Sequence, residues 1–249
     1  MLVKIFKIKI TMKSDISRCL LIGNSRWHWA TKTSNCWQFS HTKPETEKSI
    51  IKDQPPLIAW AAVGQIPNNP LLSNSIQIKT ENIPIKRLPS WIGVDRALVA
   101  WAAIKKLEHL KSDSSGVLIA DAGTIFSMTR VTANKEFGGG QLMPGLSLQL
   151  SAMANGAHNL QICELTNASH EKFPHRTEDA MQRGCIDALV ASIVESKKAA
   201  KMPLWICGGD AHIILKELNE RNIQAFHHPN LVLEGMIDLI SSLNLFLNH

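Results

Sequence analysis

Four consecutive residues, Asp121-Ala122-Gly123-Thr124, combine a carboxylate, a backbone N–H with no Cβ in its way and a hydroxyl. A carboxylate holds a cation directly or through water, and amide and hydroxyl donors suit phosphate oxygens. The set fits a nucleotide-phosphate and metal site. It also fits an ordinary turn in which Asp and Gly serve the chain reversal. A second copy favours the phosphate reading: Leu21-Ile22-Gly23-Asn24-Ser25-Arg26-Trp27-His28 puts Gly23 in register with Gly123, 100 positions on, and Asn24 in register with Thr124. A third constellation is Gly93-Val94-Asp95-Arg96. An Asp kept anionic at a helix start can accept the proton of a hydroxyl nucleophile in phosphoryl transfer. An adjacent Arg offers paired donors to a substrate carboxylate. The competing account is an N-cap with a neighbouring Arg.

The elements that would carry these residues follow from periodicity. Short apolar runs, Cys19–Ile22 and Val117–Ala120, read as buried strands, each followed by a Gly turn and a second strand. Strand alternation puts Trp27 and Trp29 on one face and His28 on the other. Leu57–Val63 is a further buried strand. Ala97, Ala100, Trp101, Ile104 and Leu107 recur at helical spacing behind Asp95. Gly138-Gly139-Gly140 requires backbone close to a ligand or another segment. Thr177 is an N-cap candidate for a helix through Val194, or alternatively a ligand contact. Leu204–Cys207 runs into Gly208-Gly209-Asp210, a strand-to-helix turn of a kind that receives phosphate or base. A last helix follows Leu231.

Composition bounds the function. The 249 residues are 45% hydrophobic and 19% charged, enough for two lobes with a real core. No apolar run reaches bilayer-spanning length, so no membrane role is expected. The net charge of +6 invites a nucleic-acid role, but Lys4, Lys7, Lys9 and Lys13 outweigh Asp15 and hold half of it in residues 1–16. No basic and aromatic stripe accompanies it, so no nucleic-acid partner is expected. Residues 1–16 read as a basic extension, with Met12 an alternative start. The five cysteines show no metal or disulfide spacing, which fits a reducing, cytoplasmic setting.

The ordered set comprises Gly-Asn-Ser, Gly-Val-Asp-Arg, Asp-Ala-Gly-Thr, Gly-Gly-Gln-Leu-Met-Pro-Gly, Thr177, Gly-Gly-Asp-Ala and Leu-Glu-Gly. It resembles the type III pantothenate kinases from about Ser17 to the C-terminus. The resemblance implies an α/β, two-lobed, duplicated actin-like ATPase (ribonuclease H-like) fold with a mixed sheet flanked by helices in each lobe. The lobes are expected at 17–112 and 113–249. It implies transfer of the ATP γ-phosphoryl group to pantothenate, the first step of coenzyme A biosynthesis, by a homodimer. The reaction would use Mg2+ or another divalent cation and a monovalent cation, K+ or NH4+. By the same resemblance Asp95 is the catalytic base, and Gly93, Val94, Asp95, Arg96 and Thr177 bind substrate. Leu21, Ile22, Gly23, Asn24, Ser25, Arg26, Trp27, His28 and Thr124 bind the nucleotide, and Asp121 holds the monovalent cation. Leu21 stands where the family's loop usually begins with Asp, and no tyrosine precedes Gly93, although Trp91 is close. Three other readings remain open: a non-catalytic nucleotide-binding regulatory relative, a sugar kinase of the same superfamily, which would lack a Cys/His zinc cluster, and a basic nucleic-acid-binding protein.

Overall fold

The computed structural model describes residues 16–34, 36–44, 55–109, 115–165 and 169–247. Nearly all of the expected basic extension and most of the polar stretch before Gly116 lie outside these residues. The chain forms one fold unit twice. In the first, β1 (Ser17–Ile22), β2 (Trp27–Thr33) and β3 (Cys36–Thr42) run antiparallel, and β4 (Leu57–Ala62) and β5 (Ile76–Gln77) add in parallel beyond β1. The short helix α1 (Pro70–Ser73) joins β4 to β5, its first turn capped by Asn69. In the second unit, β6 (Gly116–Ala122), β7 (Ile125–Thr132) and β8 (Phe137–Pro144) form the meander, and β9 (Leu204–Cys207) and β10 (Phe226–His227) extend it in parallel. The strand orders are β3-β2-β1-β4-β5 and β10-β9-β6-β7-β8.

Alternation along the central strands divides the core. Cys19 and Leu21 of β1 and Val117 and Ile119 of β6 point into one shared cluster between the sheets. That cluster is filled by α2 (Val94–His109) and α6 (Leu231–Leu247), which pack on each other and reach both sheets. Leu20, Ile22, Trp27 and Trp29 face the opposite side with Leu57, Trp60 and Leu72. The two tryptophans meet edge to face as the alternation requires. Leu118, Ala120 and Ala122 face an outer layer of α3 (Leu146–Gly156), α4 (Thr177–Ala200) and α5 (Ala211–Glu220). No helix among the described residues is long and apolar enough to cross a membrane. The five cysteines are unpaired.

Two local expectations need correction. Thr177 is not the N-cap of α4 but its first helical residue; Arg176 takes the cap position, without a side-chain bond. Asp95 likewise lies inside α2, where its Oδ1 accepts from the Arg96 backbone N–H at 2.7 Å. The triple glycine lies within β8. A side chain at Gly140 would collide with the Met128 carbonyl on β7, so the approached segment is the neighbouring strand.

The α2–α6 crossing depends on Gly235, where any side chain would strike the Leu98 carbonyl and lie 3.3 Å from the Ala102 Cβ. Gly235→Val should lower the unfolding free energy by about 1–3 kcal/mol, the usual range for overpacking, read as an earlier midpoint in chemical denaturation.

Candidate active site

The two glycine turns meet. Ser25 Oγ of the first lies 2.8 Å from Thr124 Oγ1 of the second, a contact across 99 positions of chain. Each turn closes the hairpin of its unit. Gly23 N–H donates to the Arg26 carbonyl at 3.0 Å, and Gly123 sits between β6 and β7. Each is also backed by a glycine that follows the parallel strand. A side chain at Gly64, after β4, would collide with the Gly23 carbonyl. Gly208, after β9, has φ +94° and leaves room for Asp121, whose Oδ1 lies 2.5 Å from where its Cβ would be. Arg26 reaches over this second turn, with Nη1 3.4 Å from the corresponding position at Gly209.

Asp95, Arg96 and Asp121 gather beneath the turns. The Arg96 guanidinium is buried, its Nε donating to Thr129 Oγ1 at 3.2 Å and Nη2 to the Met128 carbonyl at 3.4 Å. It thus binds the start of α2 to β7 of the second unit, and Gly140 leaves the space that Nη2 occupies. Burial pushes the Asp121 carboxyl up to about 7, and the charge of Asp95 adds to this. The Cys207 thiol, which donates to Asp121, and the Arg96 charge pull the other way. Asp95 is also raised by burial, against the Arg96 N–H and guanidinium. Cys207 stays a thiol, held well above its usual range by burial and by Asp121. Two half-buried carboxylates beside one guanidinium repel each other, and an added cation would relieve that repulsion. Among the described residues no three His, Cys, Asp or Glu side chains converge as a metal site. A cation here would therefore complete its shell with backbone, water or ligand oxygens.

The remaining expected residues divide clearly. Gly93 and Val94 precede Asp95 at the mouth of a recess of about 400 Å³ lined also by Val63, Gln77, Lys79 and Glu81. Gly23, Asn24, Ser25, Arg26 and Thr124 sit at the turns. Leu21, Ile22 and Trp27 have their side chains in the core, so only their backbone can serve the cleft. His28 lies beside Gly23, its Nε2 3.4 Å from the position of a Cβ there. Thr177 is exposed on α4, whose packing places it in the outer layer of the second unit, on the other face of that sheet from α2. Sequence reasoning missed Thr129 and Cys207, which hold Arg96 and Asp121. The only sequence signal for Cys207 is its place at the end of β9, in parallel register with Asp121.

Duplicated mixed sheets with paired glycine turns between them define an actin-like ATPase fold. A Campylobacter jejuni protein assigned to the Baf family of transcriptional activators has the same fold, with a TM-score of 0.61 at 17% identity over 90% of this chain and 98% of that one. Residues 58–198 match the family model of type III pantothenate kinase, and the chain belongs to that family. A type III pantothenate kinase of Thermosynechococcus vestitus is 30% identical over 66% of this chain and 64% of its own length. One of Synechococcus elongatus is 26% identical over 87% of this chain and 93% of its own length.

The raised Asp121 carboxyl gives a signed pH dependence. Between the ordinary carboxylate value of 3.8 and about 7 the folded protein binds more protons here than the unfolded chain does. Stability of the ligand-free protein at low potassium should therefore fall as pH rises through that window. Thermal melts from pH 4 to 8 should show this decline, and Asp121→Asn should flatten it while raising the melting temperature near pH 8. An equal slope in both proteins would exclude Asp121 as its source.

Proposed function

We propose that the protein phosphorylates the primary hydroxyl of pantothenate with ATP, giving 4'-phosphopantothenate. The observation that carries this reading is the Ser25–Thr124 contact, which joins the two turns into one cradle above Asp95. The turn amide of Gly123 and the hydroxyls of Ser25 and Thr124 bind the phosphate chain. Gly208-Gly209-Asp210 lies alongside, within reach of the nucleoside. A divalent cation, when bound, neutralises phosphate charge, and Asp95 and Asp121 are the carboxylates able to hold or orient its water. Asp121 serves the monovalent cation. Pantothenate enters by Gly93 and Val94, its hydroxyl against Asp95. Asp95 accepts the hydroxyl proton as the new O–P bond forms, a late transfer that needs position more than strong basicity. Its raised affinity for a proton suits that acceptor role.

Thr177 is a substrate contact only if a second copy brings its α4 over the cleft, since within one chain it belongs to the outer layer. This supports a homodimer with shared sites. Exposed Leu142, Ile162 and Phe173 on the second unit supply apolar surface for such pairing.

Leu21 favours one rival, a nucleotide-binding relative without catalysis, because the first turn lacks the carboxylate that the second has in Asp121. Mass spectrometry of pantothenate incubated with the protein and ATP decides between them. A product heavier by one phosphate group supports the kinase, and its absence supports the binder. Asp95→Asn should lower kcat by about 10²–10⁴-fold, as loss of a general base does, with the ATP KM changed only slightly. Turnover should rise when potassium or ammonium replaces sodium at constant ionic strength, and a flat response would remove Asp121 from cation binding.

A further inference from the structure

The first sheet carries a cross-strand pair of imidazoles that the second sheet does not. In register across three strands, Leu21 of β1 faces His28 of β2, and His28 faces His41 of β3. Paired residues share a sheet face, so the row looks toward α6 and the inter-lobe side. In the second unit the position matching Leu21 is Asp121, and its cross-strand partner is Ser127. A charged group at the glycine turn of one unit is thus replaced in the other by an apolar side chain followed by two imidazoles.

The two rings touch edge to face, their centroids 4.9 Å apart and their Nδ1 atoms 2.8 Å apart. One hydrogen fits between those nitrogens, so one ring donates and the other accepts. Neutral rings meet that condition. Burial, the other imidazole and Arg26 push His28 down to about 4, and burial and Arg26 lower His41 as well. Asn230, the residue before α6, hydrogen-bonds the His41 ring. The chain of contacts therefore runs from the start of α6 through His41 to His28, and ends with His28 Nε2 beside the Gly23 turn.

We infer that His41 is a positioning residue for nucleotide phosphate: it donates its Nδ1–H to His28, which leaves the single proton of His28 on Nε2 as a donor to a phosphate oxygen at the Gly23 turn. An anion selects this tautomer over its mirror, in which His28 would present a lone pair to the phosphate. Because the His28 ring is held neutral, it adds a directed hydrogen bond at the first turn without adding a second cation next to Arg26. The inference rests on the nucleotide-phosphate role proposed above for the Gly23 turn.

Long-range ¹H–¹⁵N correlation spectra of the full chain labelled at histidine read the tautomer directly. His28 should be protonated at Nε2 in the wild type, its Nε2 shifting on addition of a non-hydrolysable ATP analogue. His41→Phe should abolish the tautomer preference and raise the ATP KM about tenfold, the scale of one hydrogen bond to a charged group, with kcat and the pantothenate KM nearly unchanged. His41→Gln, which keeps a donor, should recover part of the loss. Matching thermal melts exclude simple unfolding. A His28 protonated at Nδ1, a silent Nε2 on nucleotide addition, or an unchanged ATP KM in His41→Phe would overturn the inference. If the wild type turns over pantothenate while His41→Phe behaves identically, this inference falls and the kinase reading stands. If the wild type makes no phosphorylated product, that reading falls, and the spectra with nucleotide still decide the role of His28.

Discussion

Two half-buried carboxylates, Asp95 and Asp121, flank one buried guanidinium, Arg96, and the rest of the structure is arranged to make that tolerable. Burying charge is strongly unfavourable unless it is paired and hydrogen-bonded. Arg96 answers both carboxylates while its own N–H groups are taken up by Thr129 and the Met128 carbonyl. The Arg96 backbone N–H satisfies Asp95, and the Cys207 thiol satisfies Asp121. Even so, both acids remain above their ordinary range. The unliganded cleft is therefore short of positive charge. It gains most from ligands that bring cations with them, which is the form in which a nucleoside triphosphate arrives.

The duplicated fold explains where this cluster can exist. Repeating the β3-β2-β1-β4-β5 order places two hairpin turns at the same end of two sheets, and α2 and α6 fill the space between. Arg96 then does locally what the helices do globally: it fastens the first residues of α2 to β7 of the second unit. A glycine follows the parallel strand of each unit because the backbone of the adjoining segment passes too close for any side chain. The same close fit that shapes the turns also sets the distance between Asp121 and Gly208, so the geometry of the acid is a property of packing.

How much of this the sequence discloses depends on the range of the interaction. The hairpins around Gly23 and Gly123 are legible because apolar runs, glycines and alternation are local signals, and Trp27 and Trp29 fall on one face for the same reason. The helix beginning with Val94 is legible from its spacing. The cap of α4 is not, since Thr177 has the right chemistry one residue too late and Arg176 takes the place. The bond from Arg96 to Thr129 spans 33 positions and leaves no pattern in either segment. An Arg next to an Asp suggests substrate binding when read alone, and nothing in that local pattern tells that two of its nitrogens join α2 to β7. The Gly138–Gly140 run announces a close approach but not which atoms approach, and only the fold identifies β7 and Arg96 as the neighbours.

The two halves have diverged where their turns begin, and the divergence has a physical logic. Leu21 is nearly fully buried in the shared core, packed among alanines of β4 and residues of α2 and α6. A carboxylate at that depth would be an unpaired acid inside the apolar core. Apolar packing at residue 21 avoids that desolvation penalty and strengthens the core beneath the turn. What the first turn gives up in charge it retains in directed donors: the Ser25 hydroxyl and Arg26 above Gly209. In the kinase reading proposed above, the asymmetry leaves one turn to organise cations through Asp121 and the other to grip anionic oxygen through neutral and cationic donors. A phosphoryl group in flight needs both kinds of contact, one on each side.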